Sequence, residues 1–219
     1  MGVLLLLRHG QASLGTADYD RLSDLGRRQA RLAGARLGAA DLRIDRIVCG
    51  GLRRQRDTAL EVLTELGIRA DLLQADPRLD EYDHAGVLAA HTGAVSFETA
   101  TDDRSTRTVQ AALDEALQRW TAGAGGGRES HDGFVRRGFG VMDELTALPG
   151  VTLAVTSGGV IALAAARLLG LPPDGWPALA RVTVNSGITK IVSGRSGTNL
   201  VSFNDHAHLD TDRTLISYR

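Results

Sequence analysis

Arg8, His9 and Gly10 follow four consecutive leucines near the start of the chain, so a cation and an imidazole arrive together at the end of an apolar strand. In an open α/β sheet, ligands bind at the carboxyl ends of the strands. An arginine beside a histidine there makes an anion site that contains a nucleophile, because a neutral imidazole with an ordinary pKa of about 6.5 attacks electrophiles near neutral pH. Three further segments offer matching chemistry. Arg53, Arg54 and Arg56 carry planar guanidinium forks that hold phosphate oxygens two at a time. Asp80, Glu81 and Asp83, with His84 beside them, supply carboxyl groups for proton transfer. Ser157-Gly158-Gly159 precedes an apolar run, and a helix opening there would favour an anion through its free N–H groups and dipole. Taken singly, each segment also reads as a solvated turn, a charged helix surface or a surface carboxylate.

The elements that must position these residues are legible as apolar runs at 3–7, 44–48, 151–156, 188–192 and 200–203. Helical segments lie between them, which predicts a three-layer α/β/α sandwich with a largely parallel sheet. The last two runs flank Ser193-Gly194-Arg195-Ser196-Gly197-Thr198. That spacing predicts a hairpin, so one edge of the sheet turns antiparallel. Ser23 is placed to cap a helix with apolar positions at Leu25, Leu32, Ala33 and Leu37. A second helix is expected from about 52 to 66, ending at Gly67, and a third from 158 to 169, ending at Gly170 with Pro172 beyond. If the strand ends gather at one edge, the four segments converge there.

Residues 85–135 differ in character, with weak apolar periodicity over 85–103, a helix near 106–120 and a flexible glycine link at 123–127. This stretch reads as an insertion over the carboxyl edge that shapes the pocket and selects the substrate. Residues 1–219 read as one domain carrying it.

Composition excludes other classes. A formal net charge of -1, from 25 basic and 26 acidic residues, removes the electrostatic basis for non-specific nucleic-acid binding. A single cysteine, Cys49, rules out a disulfide framework or a multi-cysteine metal site and points to a reduced compartment. The first apolar run is too short to span a bilayer and lacks a basic leader, so a cytoplasmic protein without a membrane partner is expected. Of six histidines only His206 and His208 are close, and no third ligand of evident geometry accompanies them, so no metal or other cofactor is expected. Trp120 and Trp176 admit two readings, a contact in a homodimer or packing inside the fold.

The order of these motifs resembles the histidine phosphatase superfamily, the phosphoglycerate-mutase-like enzymes, over nearly the whole chain. Arg8-His9-Gly10 resembles the opening signature, Leu22-Ser23-x-x-Gly26-x-x-Gln29-Ala30 the first helix, and Leu52-x-Arg54-x-x-x-Thr58-Ala59 the second basic motif. Leu79-x-Glu81 is similar to the acid loop, Glu129-Ser130 with Phe134 and Arg137 to the helix before the penultimate motif, and Asn204-Asp205-x-x-His208-Leu209 to the tail. The resemblance implies a metal-independent phosphomonoesterase that hydrolyses a small phosphorylated metabolite through a phosphohistidine on His9. Arg8 and Arg54 would neutralise the phosphoryl oxygens, and Glu81 would act as proton donor and base. Gly10, Gln11, His84, Ser157, Gly158 and Gly159 would contact the substrate.

One position departs from that pattern. The family's second histidine aligns with Ser157, whose hydroxyl can donate a hydrogen bond but brings no charge. Losing an oxyanion-type donor costs roughly 100- to 1000-fold in rate. The surviving His9, Arg8, Arg54 and Glu81 favour an active phosphatase. The alternatives are a catalytically impaired protein that binds phospho-ligands, and a phosphoglycerate-type mutase, which residues 85–135 do not support because they lack basic enrichment.

Overall fold

The computed structural model describes residues 1–13, 18–40, 42–92, 103–172 and 174–218. The chain runs β1 (Gly2–Arg8), α1 (Asp24–Gly38), β2 (Arg46–Cys49), α2 (Arg53–Leu66), β3 (Leu73–Ala75), α3 (His84–Thr92), α4 (Asp103–Thr121) and α5 (His131–Ala147). It continues through β4 (Gly150–Thr156), α6 (Gly158–Leu168), α7 (Trp176–Val182), β5 (Ile188–Gly194) and β6 (Gly197–Asp205). The strands form one mixed sheet in the order β3-β2-β4-β1-β5-β6. β1 pairs in parallel with β4, and β2 with both β4 and β3, while β5 runs antiparallel to β1 and to β6. The expected α/β sheet, mostly parallel with an antiparallel edge and helices on both faces, is what the chain adopts.

The leucine run of β1 explains the layering. Successive side chains of a strand point to opposite faces, so Leu4 and Leu6 pack with Leu88, Trp120, Phe134 and Ile161 on one side. Leu5 and Leu7 pack with Ala30, Ala33, Val62 and Leu63 of α1 and α2 on the other. A strand buried on both faces reads as a continuous apolar run, as here. Ser23 caps α1 by accepting the Gly26 N–H at 3.0 Å, and Gly67 ends α2 at φ 65, a left-handed conformation that favours glycine.

The structure departs from expectation in five places. β3 has three residues, and α7 has seven, both too short for a periodic signal. α3 reads as weakly periodic because its alanines leave little contrast between the buried Val87 and Leu88 and the exposed Ala89 and Ala90; the rest of that stretch, 93–102, lies outside the described residues. β5 and β6 extend up to a two-residue turn, with Gly197 at φ 94. The glycine link at 123–127 is anchored at its flanks, since the Trp120 indole N–H donates to Glu129 O at 3.3 Å and the Arg128 N–H to Asp83 Oδ2 at 3.1 Å. Finally, Trp120 and Trp176 are fully buried within this chain. They stack around Phe134 and Tyr82, which corrects the subunit-contact reading. Among the described residues, no helix is long and apolar enough to cross a membrane.

Candidate active site

The β1–β4 register sets Arg8 opposite Thr156, and the His9 N–H donates to Thr156 O at 2.9 Å. Two adjacent parallel strands therefore deliver Arg8-His9 and Ser157 to the same edge. His9 is buried, and its Nδ1 lies 2.7 Å from Gly10 O. A carbonyl can only accept, so Nδ1 carries the proton and the lone pair resides on Nε2. Burial, followed by the positive charges of Arg54 and Arg8, pushes the His9 pKa well below its ordinary value, which keeps the ring neutral. The turn is tight at Gly10, where a Cβ would collide with Gly26 O. Its N–H donates to Thr58 Oγ1 at 3.0 Å.

Of the three candidate arginines, Arg54 is the buried one. Its Nε–H donates to His9 Nε2 at 3.1 Å, and its Nη1 to Asp20 Oδ1 at 2.6 Å. The other Asp20 oxygen accepts the Arg53 N–H at 2.7 Å, so one carboxylate both caps α2 and aims Arg54. Arg53 instead pairs with Asp18 at the surface, and Arg56 is exposed. The Arg8 guanidinium is held by Thr183 O and, at 2.9 Å, by Tyr218 O. Among the described residues its buried Nε–H has no acceptor. Burial lowers the Arg8 pKa to about 10, against the attraction of Glu81, and it stays cationic at neutral pH.

The acid loop sorts its carboxylates by what they bind. Asp83 accepts the Gly86 N–H at 3.0 Å near the start of α3, and Asp80 accepts the Gly51 N–H at 2.5 Å in the β2–α2 turn. Glu81 reaches across to α6, where Oε2 accepts the Gly159 N–H at 3.0 Å and Oε1 the Tyr82 N–H at 3.2 Å. Burial raises the Glu81 pKa despite those bonds and the nearby Arg54 and Arg8. Arg137 steadies this loop from α5 by donating to Asp80 O at 2.6 Å and Arg78 O at 2.9 Å.

Glu81 and Tyr82 stand between two cavities. One, of about 470 Å³, is lined by Tyr19, Arg54, Glu81 and His84 among others. The second, of about 380 Å³, is lined by Arg8, Glu81, Gly158, Gly159 and residues of α4 and α7. His84 packs edge-on to Tyr19 at 6.0 Å, and burial lowers its pKa to about 4. Ser157 is fully buried at the N-terminus of α6. Gln11 faces elsewhere, its Oε1 accepting from Ser23 Oγ at 2.9 Å; like it, the buried His9, Gly10 and Ser157 line neither cavity.

Sequence reasoning missed Asp20, Gln55 and Asn185. Asn185 donates to His9 O at 3.1 Å, and Gln55 is fully buried. For Gln55 a signal existed, because it precedes Ala59, Val62 and Leu63 at helical spacing on the buried face of α2. A polar residue at a core position must be hydrogen-bonded to something.

Three comparisons bear on this arrangement. The family model described as histidine phosphatase superfamily (branch 1) matches residues 4–206. A mycobacterial glucosyl-3-phosphoglycerate phosphatase is 26% identical with a TM-score of 0.64, covering 93% of this chain and 98% of its own; the same protein has been solved with vanadate, written VO3. Bacillus stearothermophilus YhfR is 23% identical, with a TM-score of 0.69 over 95% of this chain and 99% of its own. An Entamoeba histolytica phosphoserine phosphatase mutant solved with phosphoserine is 16% identical, with a TM-score of 0.60 over 95% of this chain and 100% of its own. No curated protein sequence matches the chain.

Proposed function

The chain belongs to the histidine phosphatase superfamily, branch 1, and from that premise we propose that it hydrolyses a phosphomonoester of a small metabolite through a phosphohistidine on His9. The observation that carries this reading is the Nδ1–H to Gly10 O bond. It leaves Nε2 as the nucleophilic nitrogen and holds a proton donor-acceptor pair behind the ring to support the charge that develops on phosphorylation. The relative that is a glucosyl-3-phosphoglycerate phosphatase supports a small phosphorylated metabolite as substrate.

In the first step His9 Nε2 forms a bond to phosphorus while the bond to the alcohol oxygen breaks. Glu81, whose raised pKa favours a protonated carboxyl, gives its proton to the departing alkoxide. In the second step the Glu81 carboxylate takes a proton from water as that water attacks phosphorus, and the P–N bond breaks to release phosphate and neutral His9. Arg54 beside Nε2 and Arg8 on the far side of Glu81 hold fixed positive charge against the phosphoryl oxygens. Ser157 takes the place of the family's second histidine as a neutral donor, and Ser157→His is expected to raise the rate.

The test is hydrolysis of p-nitrophenyl phosphate between mildly acidic and neutral pH with a chelator present, for wild type, His9→Ala and Ser157→His. The wild type turns over and forms an acid-labile phosphoprotein; His9→Ala does neither. An active His9→Ala would overturn the reading. An inert wild type that phosphate nevertheless stabilises against heat would replace it with a phospho-ligand binding protein.

A further inference from the structure

The Ser157 hydroxyl has one partner among the described residues, and that partner dictates which way it faces. Gln55 Nε2 lies 3.0 Å from Leu79 O and 2.9 Å from Ser157 Oγ, while Gln55 Oε1 lies 3.3 Å from the Leu52 N–H. A carbonyl needs a donor and an N–H needs an acceptor, so the two backbone groups fix the amide orientation without reference to Ser157. The side chain is clamped further by Gly50, since a Cβ there would collide with Gln55 Oε1. Gln55 therefore donates and Ser157 Oγ accepts. The Ser157 O–H then has no acceptor among the described residues, although both side chains are fully buried. A buried donor without an acceptor is costly to leave unmade.

We propose that Gln55 is a positioning residue: by occupying a lone pair of Ser157 Oγ, it makes Ser157 present its proton to the phosphoryl group that His9 receives. Ser157 stands one residue beyond Thr156, whose carbonyl takes the His9 N–H, and one residue before Gly158, which faces the Arg8 guanidinium. The residues on either side of Ser157 thus adjoin the backbone of the nucleophile and a cation, the neighbourhood in which a phosphoryl oxygen would be the acceptor. The inference rests on His9 as the phosphoryl acceptor. It adds that an uncharged donor is aimed by a second uncharged residue from α2, which also ties the acid loop in place through Leu79 O.

The experiment measures kcat, KM and inhibition by orthovanadate for wild type, Gln55→Leu, Gln55→Glu, Ser157→Ala and the double variant Gln55→Leu/Ser157→Ala. Circular dichroism and thermal unfolding monitor the fold. Gln55→Leu and Ser157→Ala are each expected to lose about tenfold in vanadate affinity and in kcat/KM, the scale of one neutral hydrogen bond, and the double variant loses clearly less than the two losses combined. Additive losses would overturn the proposal, because Gln55 would then act otherwise than through Ser157. Gln55→Glu keeps the side-chain shape and carries the test if Gln55→Leu does not fold. Its ionised carboxylate draws the Ser157 proton towards itself, whereas its protonated form can donate as the amide does. Activity lost at neutral pH is therefore expected to recover on acidification, and the recovery disappears when Ser157 is also alanine. Recovery that persists without Ser157 sinks the proposal. A wild type that binds vanadate without turnover would remove the phosphatase reading alone, since vanadate affinities across the variants still decide the role of Gln55. A wild type that binds neither vanadate nor phosphate overturns both.

Discussion

Glu81 is the residue whose environment has the most direct kinetic consequence. Burial raises its pKa, so the protonated acid persists to higher pH than an ordinary carboxyl, and protonation of the leaving alkoxide fails as pH climbs through that raised value. The alkaline limb of kcat/KM for an alkyl phosphate should follow it. Glu81→Gln should lower kcat/KM for an alkyl phosphate by about 100- to 10000-fold, the usual worth of a positioned acid. It should cost far less with p-nitrophenyl phosphate, whose leaving group departs without a proton. Equal losses on both substrates would place Glu81 outside proton transfer. His84 carries a stability prediction instead. Its pKa falls from 6.5 to about 4 through burial, so between those values the unfolded chain binds a proton that the native chain refuses. Stability from this group is present above about pH 6.5 and is lost on acidification. His84→Gln should therefore flatten the fall in Tm between pH 7 and 4.5, sparing about 2 kcal/mol at the acid end.

At the scale of elements, the site depends on turns with no room for side chains. Gly159, in the first turn of α6, gives its N–H to Glu81, and a Cβ on it would collide with Glu81 Oε1. Gly159→Ala should displace the acid and reproduce the leaving-group selectivity of Glu81→Gln, with an overpacking cost of about 1–3 kcal/mol in thermal unfolding. Asp20→Asn should reduce the pairing that aims Arg54 and raise KM for phosphoesters more than it lowers Tm, because the pair is partly solvated. The strands and helices that hold the strand-end motifs were readable because β1, β4, α1, α2 and α6 carry long apolar patterns ending in recognisable caps. Arg54 was separable from Arg53 and Arg56 by the motif resemblance alone, and the structure supplies the physical reason, since Asp18 and Asp20 divide them. Asp20 and Asn185 lie in connecting segments without periodicity. What makes them matter is a contact with His9 or Arg54 across 34 to 176 positions, which no local pattern encodes. β3 and α7 escaped for lack of length.

Across the whole molecule, the segment after β6 closes the site from behind. Gln29 donates to Leu215 O at 2.7 Å, the Asn185 N–H to Ser217 O at 2.9 Å, and Arg8 to Tyr218 O at 2.9 Å. A chain ending at Ile216 would lose the last two. It should keep its sheet, with a far-ultraviolet spectrum unchanged, while phosphate or vanadate affinity drops about tenfold or more as the Arg8 fork loosens. Undiminished affinity would show that Thr183 O alone suffices. One anchor of Arg8 lies 210 residues downstream of it, a long-range contact that exists only while both ends of the fold are docked. His9 is held locally at the end of β1, whereas the carbonyls that fasten its neighbouring cation, Thr183 O and Tyr218 O, come from the far side of the sequence. Local opening of the segment after β6 would therefore loosen the anion cradle while leaving His9 in its strand-end turn.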